Sequence, residues 1–406
     1  MENHNDNNKI GVWLIGAFGS VASCVILGSQ AIAKKRCSSI GLITEHNFAR
    51  DIDFIDFNNI VFGGVDVRKG DIYSTLTDLH ERANVISSKL IEEFSCELKN
   101  INGNICAGLN LNCGKAIDNI ADGDTLCNQM SLEEIIKHIK ADLNRFKINN
   151  HLSHVIVVNV ASTEQYMQIQ DQDSTFEGIK TAISENKKCI YPASVIYAWA
   201  SIDAGCSYIN FTPSIGASLD GVKELAHEKK VPISGNDGKT GETLIKSVLA
   251  PMFVYRNLEV LSWEGYNLLG NYDGLVLNDP KNKETKIRSK NRSLTKILGY
   301  QPHSSVHIDM VPSLNDWKIA WDFIHFKGFM ETPMIMQVVW QGCDSILAAP
   351  LILDLIRFTD LAKRYGEYGV QNHLACFFKD PIDCDNYDMS TQFEKLVIYM
   401  NLKRRN

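Results

Sequence analysis

No two cysteines of this chain stand in a C-x-x-C arrangement, although the sequence holds eleven. An odd number without paired spacing argues against a zinc ribbon, a thioredoxin-like motif and a disulfide framework. The thiols, among them Cys24, Cys189, Cys206 and Cys343, sit in apolar contexts. They read as reduced, mostly buried side chains of a cytoplasmic protein. An excess of positive charge is lacking as well. With 41 Lys and Arg against 48 Asp and Glu the formal net charge is −7, so no broad basic face for nucleic acid is expected. Basic residues do gather at 281–296, where plain solvation accounts for them more readily than a small anion does. Internal repeats and long low-complexity tracts are absent. His303 and His307 have no Glu between them and lie in "SVHIDMVP", patterned as a strand, so no metal site is expected.

One run invites a membrane reading: the 24 uncharged residues 10–33, "IGVWLIGAFGSVASCVILGSQAIA". Roughly 20 apolar residues suffice to span a bilayer. The polar "MENHNDNN" before the run lacks the basic character of a secretory signal. Gly11, Gly16, Gly19 and Gly28 interrupt it, and "GVWLIG" followed by "SVASCVILGSQAIAKK" reads as strand, glycine turn and helix. No membrane span is expected.

Strand-like stretches at 12–15, 60–62, 155–160, 208–211, 260–262 and 306–311 alternate with helical patterns. The helical patterns lie at 75–93, 132–144, 194–204, 221–229, 243–250, 317–326 and 350–364. That alternation predicts an α/β protein with a parallel, Rossmann-type sheet. The polar segment 278–295 is expected to be a mobile loop or lid. Trp317 and Trp321, four apart, are expected on one helical face, in packing rather than chemistry.

"IGAFGS" lacks the third glycine of G-x-G-x-x-G, yet Gly16 can turn the chain and Gly19 can admit a pyrophosphate to a helix N-terminus. Asp66, at the end of "IVFGGVDV", stands where a carboxylate accepts from a ribose. "GKT" at 238–240 is no P-loop, since position 233 is Ile. A turn of Gly235, Asn236, Asp237 and Gly238 before a helix remains, where exposed N–H groups and Lys239 suit an anion.

Taken in order, "GAFGS", "IVFGGVDV", "VVNVASTEQY", "AGCSYINFTPS", "SGNDGKTGETLIKSVL", "YNLLGNYDGLVLN", "IRSK", "HIDMVPSLNDWKIAWD" and "GCDSILAAPLILDL" resemble the signature blocks of the inositol-phosphate synthase family. The resemblance covers nearly the whole chain and its length is closer to the compact prokaryotic forms. It implies a Rossmann-type NAD domain at 9–243, completed by 342–406. Between them, 244–341 would form an α+β catalytic and oligomerisation domain, and the protein would be a homotetramer. It also implies an NAD-dependent isomerisation of glucose 6-phosphate to inositol phosphate: C5 oxidation, enolisation, aldol closure, then reduction. Catalytic candidates are Lys239, Lys290, Lys318, Lys379, Asp237 and Asp344, with Lys290 and Lys318 at the oxidation and enolate steps and Lys379 holding phosphate. Cofactor candidates are Gly16, Gly19, Ser20, Val21, Asp66, Ala161, Thr163, Asp237, Asn267, Asp273, Asp344 and Ser345, within which 161–164 forms an "ASTE" turn.

Two departures stand out. Leu294 occupies a position where the family commonly has lysine, for which Lys296 or Arg292 would have to substitute. "AFGSV" replaces a Gly-Gly-Asn-Asn run and loses side-chain amides near the pyrophosphate. A family member acting on another sugar phosphate, or a non-catalytic NAD-binding sensor, are the competing readings. Product stereochemistry and any cation requirement stay open.

Overall fold

A computed structural model describes residues 9–123, 125–126, 129–277 and 279–404, with only the backbone of 272, 273 and 286–293. The expected mobile segment is helical for most of its length, and the side chains of Lys290, Asp273 and Arg292 lie outside the described residues.

Seven parallel strands form the larger sheet in the order β11-β6-β5-β4-β1-β2-β3. They are β1 (Ile10–Ile15), β2 (Ile60–Asp66), β3 (Ile105–Ala107), β4 (Val155–Asn159), β5 (Ser207–Asn210), β6 (Pro232–Gly235) and β11 (Gly369–Val370). Buried on both faces, the inner strands read as near-continuous apolar runs such as "IGVWLI" and "VIVVN". The order in which strands are added reverses between β1 and β4, and ligands bind outside the carboxyl ends of strands at such a switch point. The 24-residue run is therefore β1, a turn, and α1 (Ser20–Ala33). No helix among the described residues is long and apolar enough to cross a membrane.

Four strands, β7 (Glu259–Leu269), β8 (His303–Met310), β9 (Trp317–Lys327) and β10 (Pro333–Cys343), make a second, mixed sheet in the order β10-β9-β7-β8. Its inner face packs Val260, Trp263, Ile324 and Phe326 against Ala250 and Phe253 of α2 (Gly241–Tyr255) and against Leu294 and Leu298 of α3 (Pro280–Leu298). The outer face is half-exposed and carries Tyr266 stacked on His307 and tilted against Trp321. The chain then returns through α4 (Asp344–Arg364), whose Ile352, Leu353 and Ile356 join Ala22, Val25 and Ile26 of α1 in one core. Helix α5 (Met389–Leu402) ends the described chain.

Three sequence expectations are corrected. Residues 317–326 form strand β9 rather than a helix, so Trp317 and Trp321 share a strand face. Its inner face carries Lys318, which lines the cleft, and Asp322, which accepts from the Trp263 indole, and these charges break the apolar alternation that marks a strand. The stretch 278–295 is mostly helix α3, started by the Asp279 cap and Pro280 and stopped by Gly299 at φ 79°. The helical pattern at 75–93 is two helices, Ile72–Ala83 and Ser88–Glu93, parted at left-handed Asn84.

Candidate active site

One cleft runs along the carboxyl ends of the parallel strands and is closed by the second sheet and by α4. At its nucleotide end, Gly16 and Ala17 N–H groups both donate to Val65 O, tying the turn to β2. Gly16 has φ +90°, and a Cβ there would stand 2.9 Å from Ala161 Cα, so the turn needs glycine. No side chain caps α1 and no acidic residue sits in its first turn. Gly19, Ser20 and Val21 line the cleft, so the electropositive end of α1 opens on it. This cradle fits the pyrophosphate of a dinucleotide.

Asp66 is engaged within the protein itself. Its carboxylate accepts from Phe18 N (2.8 Å) and Arg68 N (2.9 Å) and so shapes the glycine turn from below. Beyond β4 the wall is Ala161, Ser162, Thr163 and Glu164. Burial pushes the Glu164 carboxyl up. It accepts from Ser194 N at 2.8 Å and Ser194 Oγ at 2.5 Å, which fixes the turn that presents Thr163. Asn159, Asn210 and Asn236, at the ends of β4, β5 and beyond β6, hydrogen-bond in series along the cleft floor.

The other end of the cleft joins distant parts of the chain. Lys379 Nζ donates to Asp237 Oδ1 at 2.8 Å, both side chains being buried. The main chain repeats the pairing: Lys379 N donates to Asp237 O, and Asn236 and Asp380 exchange hydrogen bonds. Lys318, from the start of β9, lies 3.5 Å from Asp344 Oδ1, the first residue of α4. Its ammonium is also 4.0 Å from the Cβ position of Gly241, at the N-terminal end of α2, which no side chain caps. Asp316, Lys318, Asp344, Ser345 and Lys379 all line the cleft.

Of the expected residues, Gly16, Gly19, Ser20, Val21, Asp66, Ala161, Thr163, Asp237, Lys318, Asp344, Ser345 and Lys379 are brought together there. Lys239 is not. Its ammonium turns away to Gln392 Oε1 (2.7 Å) on α5, and burial pulls it down to about 8. Asn267 points inward from β7 to Glu242 and to His307 O. Glu242 in turn pairs with Lys246 at 2.5 Å in a buried cluster beneath the second sheet. Lys296 borders a separate groove with Asp385 and Asp388, so it does not stand in for a lysine at 294. Leu294 itself is 3% exposed and part of the second core. Sequence reasoning missed Asp316 and Asn159. Asp316 could have been found two residues before Lys318 in "NDWK"; Asn159 carries no comparable signal.

Fold and cleft together define a dinucleotide-binding α/β protein whose site is finished by a second sheet. Residues 10–401 match the NAD-binding family described as myo-inositol-1-phosphate synthase, and the chain belongs to that family. Its relatives include inositol-3-phosphate synthase 1 of Bacteroides thetaiotaomicron, 33% identical over 393 residues, with 92% of this chain and 90% of the relative covered. The inositol-3-phosphate synthase of Trypanosoma brucei brucei is 29% identical, covering 93% of this chain and 70% of the relative. The crystal structure of inositol-3-phosphate synthase from Caenorhabditis elegans superposes with a TM-score of 0.87 at 25% identity, over 98% of this chain and 86% of that one. A myo-inositol-1-phosphate synthase-related protein from Thermotoga maritima, at 22% identity and a TM-score of 0.81, shares the fold.

Proposed function

We propose that this enzyme converts D-glucose 6-phosphate to 1D-myo-inositol 3-phosphate. The observation that carries the reading is the meeting of two lysine–carboxylate pairs, Lys379–Asp237 and Lys318–Asp344, with the glycine turn in a single cleft. NAD, when bound, takes hydride from C5 and later returns it, so the overall change is an isomerisation. Gly16, Gly19 and the first turn of α1 hold its pyrophosphate, with Thr163 and Asp66 on either side.

The protein's own groups divide the remaining work. Lys318, beside the open N-terminus of α2, forms a seat for the phosphate dianion, where backbone donors and an ammonium converge. Lys379, oriented by Asp237, is the group that relays the C5 hydroxyl proton and stabilises the enolate oxygen after C6 loses its proton. This reverses the allocation expected from the sequence, because it is Lys318 that lies at a helix N-terminus. Lys290 stays in the scheme on resemblance alone. The division at 9–243, 244–341 and 342–406, a cytoplasmic location and a homotetramer belong to the same proposal. The half-exposed outer face of the second sheet and the free state of the described cysteines support it.

The test is to incubate the protein with NAD and glucose 6-phosphate and follow inositol phosphate by phosphorus NMR. Product without net NADH, lost in Lys379→Met, is expected. Tight NAD binding without product points to a second reading, the same chemistry on another sugar phosphate. Leucine at 294, where the family pattern is expected to place a lysine, is the observation that favours it.

A further inference from the structure

The carboxylate of Asp316 belongs to neither lysine pair, yet everything at the phosphate end of the cleft is fastened to it. Helix α4 begins at Asp344, and its cap residue, Cys343, makes no side-chain capping bond of its own. Asp316 takes over that task from the neighbouring strand. Its Oδ2 accepts the Ser345 N–H at 3.1 Å, its Oδ1 accepts the Ser345 hydroxyl at 2.9 Å, and the Cys343 thiol also donates to it. Its main-chain carbonyl accepts the Asp344 N–H at 3.2 Å. Two residues further on, at the start of β9, stands Lys318, which reaches back to Asp344. The contacts close a ring: Asp316, Trp317, Lys318, Asp344, Ser345 and again Asp316.

Such a ring removes the freedom a lysine ordinarily has. Lys318 has four rotatable bonds, and an ammonium alone does not choose among its rotamers. Asp344 chooses for it, but only if the first turn of α4 is itself held in place. Asp316 supplies that hold. It is 4% exposed and is a capping group borrowed from another element. Because its carboxylate oxygens accept all three hydrogen bonds from Cys343 and Ser345, the carboxylate form is the one the ring requires, even though burial, and with it the nearby Asp344 carboxylate, pushes its carboxyl up.

We infer that Asp316 is a positioning residue of the phosphate seat, acting through the start of α4 and Asp344 to fix the Lys318 ammonium at the head of α2. The inference rests on the proposed function, in which Lys318 receives the phosphate. It acts on substrate capture. The nucleotide cradle and the Lys379–Asp237 pair lie on other elements and should be untouched.

The experiment measures steady-state kinetics, inhibition by inorganic phosphate, NAD affinity and melting temperature for the wild type, Asp316→Asn, Asp344→Asn and the double variant. For Asp316→Asn we expect KM for glucose 6-phosphate and the inhibition constant of inorganic phosphate to rise together by roughly tenfold or more, the size of a lost charged hydrogen bond. Turnover should stay within about threefold and NAD affinity should be unchanged. In the Asp344→Asn background the same substitution should add less than about twofold, because both changes break one ring. Three results overturn the inference: full additivity of the two substitutions, a loss of turnover at constant KM, or a parallel loss of NAD affinity and melting temperature. Should Asp316→Asn not fold, Cys343→Ala removes one donor to the Asp316 carboxylate and carries the same expectation at smaller size; an unchanged KM there overturns it equally. A wild type that forms no inositol phosphate, while still binding phosphate more tightly than Asp316→Asn, sinks the proposed function and leaves the ring standing.

Discussion

Lysine 379 and aspartate 237 illustrate how strongly single side chains are committed here. Removing one partner of a buried pair leaves an uncompensated charge, typically at about 3–5 kcal/mol. Asp237→Asn is thus expected to lower the melting temperature and to abolish product formation, whereas an exposed variant such as Lys180→Ala should do neither. Lys239 offers a pH test. Its folded-state pKa of about 8 lies below the ordinary lysine value of about 10.4. Between those two values the unfolded chain binds the extra proton, so stability rises with pH through that window and the contribution is lost as pH falls to 8. The melting-temperature difference between wild type and Lys239→Met should accordingly grow from pH ~8 to ~10; a difference that stays flat there removes the argument. At the glycine turn, Gly16→Ala meets both a left-handed backbone and the Ala161 main chain. NAD affinity measured by titration calorimetry should drop at least tenfold, about 1.4 kcal/mol.

Secondary structure shows where local reading ran out. The first strand, the glycine turn and α1 were legible because apolar period and turn chemistry agreed. Strand β9 was not. Lys318 and Asp322 lie on its buried face to serve the site and to bond the Trp263 indole, while Trp317, Ile319, Trp321 and Phe323 lie on the other. A strand apolar outside and charged inside imitates a helix. Helix α3 failed the opposite way: its Lys and Asn content suggested a loop, although Asp279, Pro280 and Gly299 already marked both ends. Which lysines meet was legible only by resemblance, since Lys379 and Asp237 are 142 residues apart. The direction of Lys239 was not legible at all, because a turn with Asp237 at φ 60° keeps no periodicity. The helix also answers the question of Leu294. Replacing it with lysine, as the family pattern would suggest, puts an ammonium among Trp263, Phe253 and Ile324. Leu294→Lys should cost at least ~3 kcal/mol in denaturant unfolding and gain no turnover. A more active, equally stable variant would show that the helix can rotate this position into the site.

For the whole molecule, the two sheets have different obligations. The parallel sheet is covered on both faces, but the outer face of the second sheet presents Tyr266, Trp321 and Phe323 beside Ile335, 59% exposed, and Val339, 65% exposed. A surface of that kind marks an interaction site. If the proposed tetramer is built on this face, Ile335→Glu combined with Val339→Lys should lower the mass read by light scattering, with NAD binding retained. An unchanged mass would place the subunit contacts elsewhere. The return of the chain through α4 to residues 377–382 has another outcome. Gly235, Asn236, Asp237 and Lys239 hydrogen-bond through the main chain to that late segment, with Gly238 in antiparallel register opposite Phe378. During synthesis, which proceeds from the N-terminus at about 5–20 residues per second, the nucleotide cradle emerges early and the loop at 235–239 waits for its partner. A chain stalled before residue 377 therefore has neither Lys379 nor the main-chain partners of that loop, and the site is completed only when synthesis is nearly over.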